Sequence, residues 1–471
     1  MALASVQMRS GMGLARPVCF AIAVRGAFRE RASKFCYWPG TGDKGHSSTL
    51  SRPESISECV SSANQMTDMQ YRSPAVPDLP ADQEAVWRVS VVGGLENIAL
   101  IQDEWRAMCE RVQSGVPNCN VDRFVATLEA LAVNGVLPHV VLFHRNDELV
   151  CMLVGRTETR RVSWHAGYFT LKSPKLRCLD IVYGGVIARA DDVESRAQVV
   201  KYLVGYLEAA TVDHVMINHL NVEEPLSLML KSALKGSVLA PKTESHWHLR
   251  FEAGGWSANL AKFSKKHRYN IRRMHSKLSE HSGGDLEVRL YRRADQLSEF
   301  VGAAAGIARQ TYQARLGAGF EDTALWRRVL ETEAEKGRLR CHVLFSKGIP
   351  IAYQIGTVYG GRYNLECIGY VPAFREFSPG TVLLLQTFEE ISADGCSIVD
   401  YGFGDADYKR VYGTSSVNEA VFHLYGRGVR AKISRRIELV VMGCARWSSD
   451  GIAKTGSLRA LKRLWRSHLS K

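Results

Sequence analysis

The sequence predicts an α/β fold of the α+β type, in which two mixed-sheet halves with flanking helices repeat one order of elements. Two observations predict this duplication. The order strand, two helices, three antiparallel strands, helix and strand occurs twice along the chain. In addition, HVVLFHRNDELVCMLVG in the first half and CHVLFSKGIPIAYQIG in the second half both contain an apolar strand, a turn and a second apolar strand that ends in glycine.

Hydrophobic periodicity and turn residues define the first half. RVSVVGG, which begins at Arg88, is its first strand, and two helical repeats of apolar residues follow. Asn146 and Asp147 then separate two apolar, β-branched runs, which predicts a hairpin. The remaining elements are the glycine-bearing stretch VYGGVIA, a helix SRAQVVKYLVGYLEAA, a strand HVMINHL and a helix PLSLMLKSALKG.

The second half repeats this order. LEVRLYRR is a strand, and LSEFVGAAAGIARQTYQARLG and LWRRVLETEAEKG are helices. A three-strand meander follows, with turns at Lys347–Gly348 and Gly360–Gly361. FSPGTVLLLQTFEEISADG is then a helix, SIVDYG a strand, and DYKRVYG a short helical piece.

Four segments divide the 471 residues, a length that agrees with more than one domain. Residues 1–85 are rich in Ser, Arg, Gly and Pro and lack sustained periodicity, which predicts a disordered segment or an extension upstream of the native start. Residues 86–252 and 253–430 are the two halves. Residues 431–471 are predicted to form a basic amphipathic tail.

Basic residues are concentrated in two places. The formal net charge is +13, and residues 426–471 alone carry twelve Lys or Arg against two acids. A second segment, AKFSKKHRYNIRRMHSKL, contains seven Lys or Arg and no acid. Such segments on a nearly balanced chain predict a partner with phosphate groups or an anionic membrane, rather than a general nucleic-acid coat.

Cysteine spacing and the length of apolar runs indicate the cellular compartment of the protein. The 11 cysteines form no C-x-x-C pair and no His/Cys cluster at zinc spacing, so we expect reduced thiols and no structural zinc. The longest N-terminal apolar run, PVCFAIAV, is far shorter than the ~20 residues of a membrane span, and no signal peptide is expected. We therefore predict a cytoplasmic protein with peripheral contact to the inner membrane.

Three segments carry a resemblance to known acyltransferases. They are FSKKHRYNIRR at the start of the second half, YVPAFREFSPGTVLL, and DYGFGDADYK. In this order and spacing they resemble the CelD family, a GNAT-like acyltransferase family associated with cellulose and exopolysaccharide biosynthesis and related to the Fem-like transferases. The resemblance covers about residues 87–430 and is best matched over 255–425. It implies a duplicated GNAT-like fold and acyl transfer from a thioester or ester donor.

A donor site is predicted where the last long helix of the second half begins. Free N–H groups at a helix N-terminus and the helix dipole favour an anion such as pyrophosphate, and Ser378, Gly380 and Thr381 stand at such a start. An ordinary serine-capped helix start is the alternative. The resemblance adds backbone N–H groups near Gly369 to Val371 as donors to the carbonyl of the thioester.

The identity of the donor stays open at this point. The GNAT signature Q/R-x-x-G-x-G/A is incomplete, because only one glycine is present and Arg375 lies too far upstream. Acetyl-CoA or another acyl-CoA is the expected co-substrate, and an aminoacyl-tRNA or another phosphate-bearing carrier is the alternative.

Four residues are candidates for the chemistry. Glu366 lies in the apolar strand NLECIGYV, where burial disfavours the charged form and suits the carboxylate to accept a proton. Asp400 ends the strand SIVDYG, where polar side chains often face a cleft. Tyr408 is the candidate for protonating the departing thiolate. The resemblance assigns Lys409 to a phosphate or to the tetrahedral oxyanion. A solvent-facing glutamate, a packed tyrosine and a solvated lysine are the alternatives.

The two basic segments have separate predicted roles. The first is predicted to be a helix with an apolar stripe of Phe263, His267, Ile271 and Met274. The resemblance places its cations at the junction of the halves, where Lys265, Arg268 and Arg272 would bind a phosphorylated substrate. A solvated helix face is the alternative. The C-terminal SLRALKRLWRSHLS has apolar residues opposite cations, which predicts contact with an anionic membrane, or a helix packed on the domain.

These features predict an N-acyltransferase that moves an acyl group from acyl-CoA to an amine on a cell-envelope or exopolysaccharide precursor. The alternatives are a non-catalytic GNAT-like binding module at the membrane and a Fem-like aminoacyl-tRNA-dependent transferase. No nucleic acid other than tRNA is expected, because no aromatic base-stacking platform is evident. Asp400, Asp405 and Asp407 do not follow calcium-loop spacing, so no metal is assigned.

Overall fold

The computed structural model describes residues 85–166, 169–311 and 319–454. The predicted N-terminal extension and residues 455–471 of the predicted tail lie outside the described residues.

The described strands and helices alternate along both halves of the chain. The strands are β1 (Trp87–Val92), β2 (Leu137–Arg145), β3 (Glu148–Arg160), β4 (Ser163–Ala166), β5 (Phe169–Lys172), β6 (Leu176–Ala188), β7 (His214–Asn221), β8 (Val238–Leu239), β9 (Thr243–Arg250), β10 (Leu286–Tyr291), β11 (Cys341–Ser346), β12 (Ile349–Tyr359), β13 (Arg362–Tyr370), β14 (Ile398–Asp400) and β15 (Ser415–Tyr425). The helices are α1 (Leu95–Arg111), α2 (Val121–Leu131), α3 (Val193–Glu208), α4 (Pro225–Leu234), α5 (Gly255–Ala261), α6 (Lys265–His281), α7 (Leu297–Ala308), α8 (Ala324–Glu335), α9 (Pro379–Ala393), α10 (Asp407–Tyr412) and α11 (Val429–Lys454).

One mixed sheet of 13 strands forms the centre of the molecule. Its order is β1-β2-β3-β6-β7-β15-β9-β14-β13-β12-β11-β10, and β8 pairs beside β15. The separate pair β4-β5 interrupts the first half between β3 and β6. The prediction of a mixed α/β fold, with two similar strand orders and flanking helices, is confirmed.

Local sequence accounts for the turns and helix starts. Asn146 and Asp147 have φ angles of 50° and 64°, the left-handed conformation that a tight hairpin between β2 and β3 requires. Asn120 caps α2 through a bond from the Asp122 N–H, and Asp192 caps α3 through a bond from the Ser195 N–H. These polar residues therefore define where the elements begin and end.

Two strands cross between the halves. Strand β9 lies at the end of the first half but pairs with β14 of the second half, and β15 lies at the end of the second half but pairs with β7 of the first. The two crossing strands also pair with each other, from Ser415 opposite His248 to Ala420 opposite Thr243. The two half-sheets are therefore continuous through β9 and β15.

Helices also join the halves. Phe124 and Leu128 of α2 pack in one buried cluster with Leu325 and Val329 of α8, which comes from the second half. Burial of apolar side chains at this contact stabilises the pairing of the halves.

Each half-sheet opens between a pair of parallel strands. β13 and β14 pair only from Arg362 opposite Ile398 to Asn364 opposite Asp400, after which β13 continues to Tyr370. In the first half, β6 and β7 pair over four residues before β6 continues toward Ala188. We call these openings the second-half gap and the first-half gap.

Among the described residues, no helix combines the length and apolar character needed to cross a membrane.

Candidate active site

A cavity of about 130 Å³ lies where the two gaps meet. Tyr183 and His219 line it from the first half, and Glu366, Asp400 and Phe403 line it from the second half. Arg123 of α2 and Trp326 of α8 line it as well. Both halves are therefore needed to form its walls.

The loop after β14 closes one side of this cavity. Gly402 and Gly404 have φ angles of 65° and 87°, which side chains with a Cβ rarely adopt, and this explains the glycines of DYGFGD. The turn places Phe403 against the first half, where its ring stacks on His219 and meets the edge of Tyr183 at 4.8 Å. The loop is therefore a packed wall of the cavity.

A buried histidine connects three strands beside this loop. His246 of β9 contacts Asp400 of β14 through Nε2 at 2.5 Å and Glu419 of β15 through Nδ1 at 3.1 Å. The Gly402 N–H donates to the same Asp400 carboxylate at 2.8 Å. Tyr183 OH lies 3.3 Å from His246 Nδ1. The crossing strands thus bring together groups that are distant in the sequence.

The charges of this cluster depend on one another. Burial alone lowers the pKa of His246, but the carboxylates of Asp400 and Glu419 outweigh it and raise that pKa to about 9. Burial likewise opposes ionisation of Asp400, but the positive charge of His246 and its hydrogen bond hold the pKa of Asp400 well below its usual range. At neutral pH the pair is therefore an imidazolium and a carboxylate.

Three of these side chains have the chemistry of metal ligands. One ligand atom each from His246, His248 and Asp400 lies within 4.8 Å of the other two. However, the Arg362 guanidinium already lies 3.5 Å from the Asp400 carboxylate. A divalent cation would have to compete with this arginine and with the His246 imidazolium, so the ion-pair network is the better account of the group.

Glu366 lies in the cavity wall, as part of a second ion-pair network. Its Oε1 accepts bonds from Arg123 at 2.6 Å and from Thr357 Oγ1 at 2.9 Å. The side chain is 13% exposed, so it is neither an apolar-buried carboxylate nor a solvent-facing one. Arg123 comes from the first half, so the position of Glu366 depends on the contact between the halves.

Arg123 is held by a second carboxylate behind the cavity wall. Its Nε donates to Glu333 at 2.9 Å, and Tyr359 and Arg338 also donate to Glu333. Burial raises the pKa of Glu333, but the two guanidinium groups outweigh it and lower that pKa below its usual value. The network therefore fixes the Arg123 guanidinium toward Glu366.

Backbone N–H groups line the second-half gap. The Val371 N–H donates to the Ile351 carbonyl of β12 at 2.8 Å. Because successive N–H groups of a strand point to opposite edges, those of Ile368 and Tyr370 point away from β12 and toward the gap. A molecule bound in the gap would therefore meet these two groups before it met Val371.

The predicted donor residues lie at the start of α9, beside this gap. Ser378 has the left-handed conformation, with φ 53°, and its carbonyl accepts bonds from the N–H groups of Thr381 and Val382. Gly380 is buried, and a Cβ there would meet Tyr370 Cδ1 at 3.3 Å. Gly380 therefore allows Tyr370 to pack closely against the helix start.

The helices that follow the two gaps, α9 and α3, differ in the charge of their first turns. The first turn of α9 contains no acidic residue. In contrast, α3 begins with Asp192 as its cap and has Glu194 in its first turn. Because negative charges repel a phosphate from a helix N-terminus, the second-half gap is the better anion site.

Tyr408 and Lys409 lie on α10, beside the site. Tyr408 is half-buried and packs near Tyr401, with ring centroids 6.0 Å apart. Lys409 is 1% exposed, and its Nζ donates to the carbonyls of Gly402 and Phe403 at 3.0 and 2.7 Å. Burial lowers the pKa of Lys409 to about 7. In this arrangement Lys409 holds the loop around Phe403, and its contact with a reacting oxyanion stays a prediction.

The first basic segment forms α6, which lies beside the donor loop. Leu278 of α6 packs with Val382 and Leu383 of α9, and His281 stacks on Phe377 at 4.4 Å. The predicted substrate-binding residues lie at different exposures on α6. Lys265 and Arg272 are exposed, whereas Arg268 is half-buried and its guanidinium donates to the carbonyls of Ala261 and Phe263.

Sequence reasoning missed His246, Arg123 and Tyr183. His246 lies in TESHWHLR, whose alternating polar residues resemble an exposed strand, and nothing in that pattern shows that β15 and β14 enclose it. Arg123 lies in the first turn of an ordinary amphipathic helix. An arginine on the apolar side of a helix was the signal available for Arg123.

A comparison with protein families identifies the second half. Residues 265–410 match the family described as Acetyltransferase (GNAT) domain. This stretch of the chain is therefore similar to a GNAT acetyltransferase domain. The matched stretch includes Glu366, Asp400 and the start of α9. No curated protein sequence matches the chain.

Several solved structures are similar to a large part of the chain. FemX is similar with a TM-score of 0.50 at 12% identity, over 69% of this chain and 96% of its own. The C-terminal domain (DUF2156) of a putative lysylphosphatidylglycerol synthetase from Agrobacterium fabrum gives a TM-score of 0.43 at 9% identity, over 72% of this chain and 96% of its own. A tandem GNAT protein from the clavulanic acid biosynthesis pathway gives a TM-score of 0.40 at 10% identity, over 72% of this chain and 98% of its own. The closer placement in the CelD family stays a prediction.

Proposed function

We propose that the protein transfers an acyl group from acyl-CoA, bound in the second-half gap, to an amine that enters the cavity between the halves. The acceptor is an amine on a cell-envelope or exopolysaccharide precursor. One observation carries the proposal. Strand β13 separates from β14 next to the start of α9, which has no acidic residue in its first turn, and this opening lies at the edge of the cavity lined by Glu366 and Asp400.

The donor end of the reaction follows from backbone geometry. The N–H groups of Ile368 and Tyr370 face the gap and would donate to the thioester carbonyl as negative charge develops on its oxygen. The start of α9 would hold the pyrophosphate. Helix α6 packs on α9 through Leu278, so its exposed cations are the candidates for binding the remaining phosphate of the donor.

The acceptor end follows from the carboxylates. The carboxylate oxygens of Glu366 and Asp400 both line the cavity and would accept hydrogen bonds from an amine that enters it. Asp400 is held as an ion pair by His246, which makes it a weak base. Glu366 is also paired, with Arg123, but its side chain is 13% exposed against 5% for Asp400, so Glu366 is the group that would take the proton. The amine then attacks the carbonyl and the thiolate leaves. Tyr408 stays the candidate for protonating that thiolate.

A Fem-like transfer from aminoacyl-tRNA is the second candidate. It is favoured by the unpaired cations of α6, since Lys265, Arg272 and Arg273 form no ion pair within the described parts of the chain. A row of exposed cations beside a donor site suits a longer phosphate-bearing donor as well as CoA.

A donor screen with two readouts tests both proposals. Acetyl-CoA and longer acyl-CoAs should raise the melting temperature, since a ligand at 100 times its Kd stabilises by about 2.7 kcal/mol. Glu366→Gln should keep this rise but lower amine-dependent thiol release about 10²–10⁴-fold. Stabilisation by aminoacyl-tRNA alone would replace the leading proposal with the second one. Unchanged turnover in Glu366→Gln would remove this residue from the mechanism.

A further inference from the structure

The outer face of α11 combines apolar and basic side chains in an ordered way. Val429 and Val440 are 73% and 60% exposed, and Ile433 is 42% exposed. Their spacing of four and seven residues places them in one line along the helix. Three aliphatic side chains in line on an exposed helix are unusual for a surface that faces only water.

Cations border this apolar line on both sides. Lys432 and Arg436 are exposed on one side, and Arg430 is exposed on the other. Residues 429–444 contain a single acidic residue, Glu438, which is buried and accepts a hydrogen bond from Tyr425 Oη at 2.5 Å. The exposed face of this part of α11 therefore carries positive charge and apolar area without negative charge.

A basic groove continues the same face onto the first half. The groove has a volume of about 710 Å³, and Arg430 and Ile433 of α11 line it together with Arg161, Lys172 and Lys175 near the β4–β5 pair. Within the described residues, no carboxylate forms an ion pair with any of these four cations. The nearby Asp213 is nearly buried and is already paired with Arg177 at 3.0 Å.

We propose that this face, made of the exposed side of α11 over residues 429–444 and the groove bordered by Arg161, Lys172 and Lys175, docks on the surface of an anionic lipid bilayer. The aliphatic line would enter the boundary between headgroups and acyl chains, and the cations beside it would contact lipid phosphates. The groove is wide enough for a phosphate headgroup and carries the charge to hold it.

The bilayer is favoured over a nucleic acid because of the aliphatic line. A polyanion such as RNA would be bound by the cations alone and would gain little from Val429, Ile433 and Val440. A bilayer uses both parts of the face. The contribution of the aliphatic residues therefore decides between the two partners.

Flotation of the full-length protein with vesicles tests the proposal. We expect binding to phosphatidylcholine vesicles that contain phosphatidylglycerol, and not to phosphatidylcholine alone. Arg430→Glu/Lys432→Glu/Arg436→Glu should weaken binding at least about tenfold. Lys265→Glu/Lys266→Glu/Lys277→Glu, the same charge change on the exposed face of α6, should keep most of it.

A second pair of variants tests the aliphatic line. Val429→Ser/Val440→Ser should also weaken vesicle binding, whereas Leu100→Ser/Val133→Ser, at residues that are 83% and 90% exposed elsewhere, should not. Equal binding to both vesicle types would overturn the proposal. So would full vesicle binding by either set of α11 variants, since another basic segment would then be responsible. These assays do not measure transfer activity, so their outcome is independent of the proposed reaction.

Discussion

His246 shows how one side chain can join two halves of a protein. It lies on β9 of the first half, and its ring nitrogens contact Asp400 and Glu419 on two strands of the second half. The raised pKa of His246 and the lowered pKa of Asp400 have one common cause, the charge pair itself. We consider His246 a positioning residue, because it fixes the carboxylate that faces the cavity.

This pair should make stability depend on pH. The folded pKa of His246, about 9, lies above its ordinary value of 6.5, so its contribution is complete below about pH 6.5 and is lost as the pH rises through about 9. His246→Gln should therefore lower the free energy of unfolding by about 3 kcal/mol at neutral pH. The difference from the wild type should narrow toward about pH 9.5, as urea denaturation at both pH values would show.

His139 provides the matched control. Burial lowers the pKa of His139 to about 4, so this side chain is neutral throughout the same pH range. The stability difference between the wild type and His139→Gln should stay constant from neutral pH upward. A constant difference for His246→Gln as well would contradict the ion-pair account.

At the scale of elements, the start of α9 is the proposed anion site on which the donor proposal depends. Thr381 is half-exposed in its first turn. Thr381→Glu should not lower stability, because a negative charge favours a helix N-terminus. It should weaken CoA binding about tenfold or more, equivalent to about 1.4 kcal/mol, by repelling the phosphates.

Thr381→Gln is the control for this element. It has nearly the same size as Thr381→Glu but no charge, so it should keep CoA binding in a calorimetric titration. If both variants bound CoA as the wild type does, the phosphates would lie elsewhere. If both lost binding equally, the effect would be steric and the charge argument would fail.

Elements with strong periodicity were predictable from the sequence, and the crossing strands were not. The β2–β3 hairpin, the β11–β13 meander and α9 follow directly from apolar runs and turn residues. β9 and β15 have polar residues in their interiors, His246 and Glu419 among them, because these side chains satisfy each other across the strands. Such mutual satisfaction is a tertiary property that a local pattern does not show.

The candidate site was predictable to a similar extent. Glu366 and Asp400 were predicted from their places in strands, and both line the cavity. Their partners were not predictable, because Arg123 lies 243 residues from Glu366 and His246 lies 154 residues from Asp400. The role predicted for Lys409 came from resemblance. In the structure Lys409 donates to the carbonyls of Gly402 and Phe403, and Tyr408 packs near Tyr401.

At the scale of the whole molecule, the two halves should unfold together. Strands β9 and β15 make one sheet of both halves, and Arg123 forms buried ion pairs with Glu333 and Glu366 across them. Calorimetry should therefore show one transition, with a ratio of calorimetric to van't Hoff enthalpy of about one. Two separate transitions would show that the crossing strands do not couple the halves.

The division of labour between the halves follows from the same architecture. Both halves contain a gap between parallel strands. The helix beside the second-half gap, α9, has no acidic residue in its first turn, whereas α3 beside the first-half gap has Asp192 and Glu194 at its start. The first half instead supplies Arg123, Tyr183 and His219 to the cavity. The central claim is therefore that the donor binds in the second-half gap and the first half completes the acceptor side.

Hydrogen exchange with and without CoA, followed by mass spectrometry, tests this claim most directly. CoA should slow exchange at residues 366–383, which include the gap-facing N–H groups and the start of α9. The corresponding residues 182–196 of the first half should be unchanged. Protection of residues 182–196 without protection of 366–383 would place the donor in the other gap and contradict the account.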